Sequence, residues 1–232
     1  MLRMTCSITI PTVILNVMKN PVSPFSLKRH SGDKPMKLNW AERLAVNNPI
    51  RPLQQHLEIR WLKKRVILKP GARILEVGCG RGAGSDLIKT EFRPGVLHAM
   101  DLDIRMIQKA RKYLTPEVSA GISFFVGDAI HLPSRDDTMD AVFGFGVLHH
   151  IPDWQQALAE IVRVLKKGGM YFFEELYPSL YQNIITRYIL LHPRENRFHS
   201  RDLKQAMDRA GLELGNCVEH EKLEIIGFAF KR

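Results

Sequence analysis

From residue 52 onward the chain switches between two hydrophobic periods. In residues 52–68 (PLQQHLEIRWLKKRVIL), Leu53, Leu57 and Trp61 recur at every fourth position, which predicts a helix ended by Lys69-Pro70-Gly71. Short apolar runs then take turns with helical spacing. The runs at 73–77 (RILEV), 96–101 (VLHAMD), 122–126 (ISFFV), 141–145 (AVFGF) and 170–174 (MYFFE) predict strands. Residues 85–92 predict a short helix, and 104–114 one with Met106, Ile107 and Ala110 on one side. Residues 154–165 form the clearest helical pattern, with Ala157, Leu158, Ile161, Val162 and Leu165 on one face. Asp153 is placed to cap it, with Gln156 three residues on, and Gly168 to close it. After a predicted helix at 200–210, residues 212–218 and 225–231 read as two strands. The short charged turn 219–222 between them forces an antiparallel pair.

Strands that are apolar throughout and separated by helices belong to a mainly parallel sheet covered on both faces. The right-handed crossover rule makes it doubly wound. The expected fold class is therefore α/β: a Rossmann-like, mainly parallel, seven-stranded sheet with a C-terminal antiparallel hairpin and helices on both faces. Such sheets bind ligands at the carboxyl ends of their strands, where the unusual polar residues of this chain gather.

Residues 1–35 carry four prolines and no sustained period, and are expected to be a poorly ordered extension. Residues 36–232 are expected to form a single domain: a helical lid at 36–68, a core at 69–175, an insertion at 176–199, and the last helix and strands at 200–232. The apolar run at 8–17 is interrupted by Pro11 and is far shorter than the roughly 20 residues of a spanning helix. No small-residue cleavage pattern follows it. Cys6, Cys79 and Cys217 lie far apart without metal-ligand spacing, which points to reduced thiols, a cytoplasmic setting and no metal site.

The stretch ILEVGCGRGAG (74–84) sets glycines between a strand and a helix, where backbone can approach a ligand closely. The absence of G-K-[ST] excludes a P-loop. A dinucleotide pattern is also satisfied, since Gly78-x-Gly80-x-x-Ala83 has Asp101 about 20 residues on. Charge separates the possibilities. Glu76, two residues before Gly78, is awkward beside a pyrophosphate and comfortable beside an ammonium. Asp101 ends the second strand, where it can accept from ribose hydroxyls, and Asp128 ends the third. Three acids in one crevice fit a cationic ligand carrying ribose and adenine better than a dianionic dinucleotide.

With these residues in view, the chain over roughly 52–232 resembles the class I S-adenosylmethionine-dependent methyltransferases, of the small-molecule type. The resemblance is carried by ILEVGCGRGAG, HAMDLD (98–103), VGDAIHLP (126–133), DAVFGFGVLHHIPD (140–153) and LKKGGMYFFEE (166–175), in that order. It implies that S-adenosyl-L-methionine is the cofactor. Gly78, Cys79, Gly80 and Gly82 would form the loop under the methionine moiety and ribose, and Glu76 would face the ammonium. Asp101 would take the ribose hydroxyls, with Leu102 against the adenine. Asp128 would accept from the adenine amino group, Ala129 N–H would reach a ring nitrogen, and the backbone at Gly146 would meet the amino-acid end.

Methyl transfer from a sulfonium needs alignment and water exclusion, and a general base only where the acceptor must lose a proton. His149, His150 and Glu174, with neighbouring Glu175, are the candidate bases. One histidine of the pair is expected to point inward, because successive residues of extended chain alternate sides. The formal charge of +10 favours acidic partners. Against nucleic acid, the fourth strand lacks the N/D-P-P-aromatic run of base-nitrogen methyltransferases, and there is no Pro-Cys nucleophile. A small-molecule acceptor, apolar or aromatic, is expected. The apolar insertion 177–199 and the first helix would enclose it, with Arg187, Arg194, Arg197 and Arg201 nearby. The alternatives are a quinone or lipid acceptor met at a membrane surface, through peripheral contact, and a non-catalytic S-adenosylmethionine-binding protein. An NAD(P) oxidoreductase fits the acids least well.

Overall fold

The computed structural model describes residues 51–181, 196–220 and 223–232. The expected extension at 1–35, the start of the lid at 36–50 and residues 182–195 of the insertion, with Arg187 and Arg194, lie outside them. In chain order the elements are α1 (Arg51–Lys63), β1 (Arg73–Val77), α2 (Ala83–Phe92), β2 (Val96–Asp101), α3 (Ile104–Tyr113), α4 (Pro116–Ala120), β3 (Ile122–Val126), β4 (Met139–Phe145), a 3-10 turn (Leu148–His150), α5 (Trp154–Val164), β5 (Leu165–Leu176), α6 (Pro178–Tyr181), α7 (Ser200–Arg209), β6 (Leu212–His220) and β7 (Glu224–Lys231).

One seven-stranded sheet runs β3-β2-β1-β4-β5-β7-β6. The first five strands are parallel, and β7 is antiparallel to both its neighbours. The strand order reverses between β1 and β4, the point at which sheets of this kind take ligands at the carboxyl ends of their strands. The period of two along each strand divides the core into two layers. Leu75, Val77, Val142, Tyr171 and Phe173 pack against Trp154, Leu158 and Ile161 of α5 and Leu203 and Met207 of α7. Ile74, Phe143 and Phe172 face the other way, against Ile59 and Leu62 of α1, Ile88 of α2 and Ile107 and Ala110 of α3. Each of these large side chains contributes about 1.5–3 kcal/mol by leaving water.

Several local expectations are corrected. Helix α1 stops at Lys63, where the N–H groups of Arg65 and Val66 both close on the Leu62 carbonyl, rather than running to the Lys69-Pro70-Gly71 breaker. It buries Gln55, Glu58, Ile59 and Leu62, and leaves Leu53 and Leu57 61% and 59% exposed. The stripe Arg51-Gln55-Glu58-Leu62 fits helical spacing as well as Leu53-Leu57-Trp61 does. It is turned inward because Arg51 finds a carboxylate partner at the end of β5. Gly168 does not close α5. That helix ends at Val164, and Leu165 is already extended and pairs with Met139, so β5 begins five residues before the predicted strand. Gly168, at φ +73°, serves an excursion between Leu165 and Met170 where the β4–β5 register shifts. Helix α4 was not expected, although Thr115 caps it by accepting from Val118 N–H, with Pro116 at its first position.

Asp153 caps α5 as expected, accepting from the Gln156 N–H at 3.2 Å. The two ends of the insertion that are described pack inward. Tyr177 is fully buried with its hydroxyl donating to Glu219, and the Phe198 ring packs at a tilt of 54° against Trp154 with centroids 4.6 Å apart. Both belong to the α5–α7 core layer. No helix of the described residues is long and apolar enough to cross a membrane.

Candidate active site

The glycine loop leaves β1 and is fastened to β2. Cys79 N–H donates to the Met100 carbonyl at 2.8 Å, and Cys79 itself is buried. Gly80, in the left-handed region at φ +53°, donates its N–H to Asp101 Oδ2 at 3.0 Å. Asp103 N–H donates to Oδ1 of the same carboxylate at 2.9 Å. Asp101 is thereby splinted between the loop and the start of α3, with its ordinary pKa raised by burial against those hydrogen bonds. The loop is short of room on its own account. A Cβ on Gly78 would stand 2.6 Å from Val147 Cγ2, and one on Gly84 would stand 2.3 Å from Glu76 Oε1 and 2.9 Å from the Phe145 ring.

Alternation along the strands decides where each acid points. Glu76 follows Ile74 to the α2 side of the sheet. It is 1% exposed, and the Ser85 hydroxyl donates to its Oε2. Ser85, in the first turn of α2, is itself fully buried. Burial pushes the Glu76 pKa up to about 7. The Ser85 hydrogen bond opposes this and the Asp101 charge adds to it. A carboxylate in this position is ionised most readily when a cation lies against it.

Just past the end of β2, Leu102 is 51% exposed. Asp128 is exposed, Ala129 is buried beside it, and Asp128 Oδ1 accepts from Ile130 N–H at 3.1 Å within its own turn. Gly146, at φ +70°, donates its N–H to the Glu174 carbonyl at 2.8 Å.

Glu174 follows Phe172 toward α1 and is 1% exposed. Arg51 grips it with both terminal nitrogens, the Nη1–Oε1 distance being 2.7 Å, and Gln54 reaches it at 3.4 Å. Its carboxylate is thus occupied by a two-pronged ion pair. Glu175 follows Tyr171 and Phe173 to the opposite face and is completely buried. It accepts from three successive backbone N–H groups, those of Val147, Leu148 and His149, at 3.3, 2.9 and 3.1 Å. His149 Nδ1 lies 2.7 Å from its Oε2. With Nδ1 donating, the ring's acceptor is Nε2. The expected alternation of the two histidines does not apply, because Leu148–His150 is a 3-10 turn. His149 is buried, His150 is half-buried, and their rings lie side by side with centroids 4.2 Å apart.

The sequence reading missed Ser85, Arg51 and the anchoring part played by Glu175. A serine in the first turn after a glycine loop was a readable partner for Glu76. Nothing local marks Arg51, since it meets Glu174 across 123 positions of chain.

A glycine loop is thus splinted to an acid at the end of β2, beside a buried acid near the end of β1. Residues 75–173 match the family model described as a methyltransferase domain. The chain carries a class I S-adenosylmethionine-dependent methyltransferase domain. Among relatives of this domain, phthiotriol/phenolphthiotriol dimycocerosates methyltransferase 1 of Mycobacterium ulcerans is 30% identical over 165 residues, which are 67% of this chain and 59% of that protein. The fatty-acid O-methyltransferase of Mycolicibacterium smegmatis is 36% identical over 108 residues, 47% of this chain and 38% of that one. The chain therefore spans less than two thirds of the length of these curated relatives. The crystal structure of an S-adenosylmethionine-dependent methyltransferase from Aquifex aeolicus matches the methyltransferase fold here with a TM-score of 0.67. It is 19% identical and covers 84% of this chain and 100% of that one, a likeness of fold.

Proposed function

We propose that the protein transfers the methyl group of S-adenosylmethionine to a small, apolar or lipid-like acceptor. The observation that carries this reading is the buried Glu76, held by Ser85 beside the Asp101 carboxylate and the glycine loop. An anionic crevice of this kind suits a ligand with an ammonium and a ribose, and its charge repels a pyrophosphate. Glu76 would hold the ammonium, and the remaining lone pairs of Asp101 the ribose hydroxyls. Leu102 and Ala129, with Asp128, would flank the adenine, and Gly78, Cys79, Gly80, Gly82 and Gly146 would give the close backbone. When bound, the cofactor supplies a methyl group on a positively charged sulfur.

The chain's own residues then orient and shield. His149, fixed in one tautomer by Glu175, presents Nε2 as the candidate proton acceptor for an acceptor hydroxyl or carboxyl, with His150 beside it. Glu174, held by Arg51, shapes the mouth between β4 and β5 and serves to position α1 there, a part more consistent with its ion pair than proton abstraction. The acceptor class draws support from the lipid-directed names of the two mycobacterial relatives, and a lipid acceptor would be met at a membrane surface.

The test is calorimetry with S-adenosylhomocysteine, followed by incubation with methyl-labelled donor and a lipid extract. We expect a stoichiometric binding isotherm that Asp101→Ala abolishes, and label in an extractable small molecule. Heat with a nicotinamide dinucleotide and none with S-adenosylhomocysteine would overturn the reading.

A further inference from the structure

The outward face of α1 is apolar and basic together. Leu53 and Leu57, one turn apart, are 61% and 59% exposed, and Ile67, four residues past the helix, is 96% exposed. Arg60 continues the same stripe at the next helical repeat, and Lys63, Lys64, Arg65 and Lys69 crowd the C-terminal end, all exposed. The single acid of α1, Glu58, points into the sheet, so the outward face of the helix carries no negative charge of its own. Lys63 meets Glu91 of α2 at 2.7 Å. Trp61 lies half-buried at the margin with the Arg65 guanidinium 4.5 Å over its ring.

We propose that this face of α1 docks the protein on an anionic lipid surface. Apolar side chains interleaved with lysine and arginine are what an interfacial helix presents to acyl chains and headgroups. Nucleic acid would satisfy the basic residues and leave Leu53 and Leu57 in water. A second copy of a chain with a formal charge of +10 would bring like charges together. Arg51, in the first described turn of the helix, grips Glu174 at the end of β5, so this end of α1 lies at the carboxyl ends of the strands, by the mouth of the proposed site. A helix lying on the bilayer would bring that mouth to the membrane edge, where an acceptor could pass without crossing water. The functional meaning rests on the lipid-acceptor reading above; the docking itself does not.

The full chain is to be sedimented with vesicles of phosphatidylcholine containing phosphatidylglycerol and, separately, of phosphatidylcholine alone. Calorimetry with S-adenosylhomocysteine on each variant reports that it is folded. The expected result is binding to the anionic vesicles alone, lost at high salt. Leu53→Ser with Leu57→Ser, and separately Arg60→Glu with Lys64→Glu, should each weaken it about tenfold or more, with S-adenosylhomocysteine binding unchanged. No binding to anionic vesicles overturns the proposal. So does a leucine variant that binds like the parent, since attraction would then be purely ionic. A change of molecular mass in light scattering on Leu53→Ser with Leu57→Ser, without vesicle binding, assigns the face to a second copy and overturns it as well. Vesicle binding that persists when no labelled lipid is found leaves docking standing and removes the acceptor class.

Discussion

Glu76 sits in the crevice with a pKa near 7, set by burial and moderated by a serine hydroxyl. Its titration gives the site a pH signature with a definite sign. Below about pH 7 the side chain is neutral, and a cationic ligand must expel its proton to pair with it. Affinity for S-adenosylhomocysteine should therefore rise with pH and level off above that value, being roughly tenfold weaker one unit below it. Ser85→Ala removes the hydrogen bond that lowers the pKa, so the curve should move to higher pH. Calorimetry across pH on both proteins checks this, and a flat profile would detach Glu76 from the ligand. Gly84 gives a second test with an unusual sign. An alanine in a helix ordinarily gains about 1 kcal/mol over glycine. Here the added Cβ would run into Glu76 Oε1 and the Phe145 ring, so Gly84→Ala should lower the melting temperature and weaken binding together. At this scale Glu76, Asp101 and the glycines were legible because strand ends and a charge argument mark them. Arg51 was not, because its importance lies in a carboxylate far along the chain.

Helix α1 is held by charges that its sequence does not advertise. Arg51 faces Glu174 of β5, Glu58 of its own helix lies 3.8 Å away, and Glu224 of β7 adds a further negative charge. Burial, and then the Glu174 charge, raise the Glu58 pKa from 4.5 to about 8, with Arg51 and Gln54 pulling the other way. The folded protein thus holds a proton there that the unfolded chain releases. Stability should fall as pH rises from 4.5 toward 8 and change little beyond, and Glu58→Gln should flatten that slope in urea denaturation. Arg51→Met would leave the buried Glu174 carboxylate without its counter-charge, at a cost of about 3 kcal/mol or more. An equal midpoint for Arg51→Met and the parent would show that the ion pair contributes nothing. Strands and the helices α3, α5 and α7 were legible at the element scale, since one clean period describes each. Helix α1 carries two stripes that both fit helical spacing, and periodicity alone could not choose between leucines and an Arg-Gln-Glu set that a partner on β5 makes the better buried face.

On the scale of the whole molecule, apolar strands alternating with helices were enough to give the order of elements, the parallel core and the antiparallel hairpin. The excursion within β5 and the 3-10 turn after β4 escaped that reading. Both answer to register and to the Glu175 side chain, which are tertiary facts. The place of β7 has a kinetic consequence. It lies between β5 and β6, and among the described residues β6 pairs with no other strand. Strand β6 cannot enter the sheet ahead of β7, whereas the two can zip together through their short connection before either finds β5. The final hairpin should then form early and dock as a preassembled unit, with closure of the long loop from β5 as the slow step. In stopped-flow experiments, Leu214→Ala within the hairpin should slow the main refolding phase and leave unfolding little changed, whereas Phe173→Ala on the β5 side of that seam, where contacts are still forming, should also hasten unfolding.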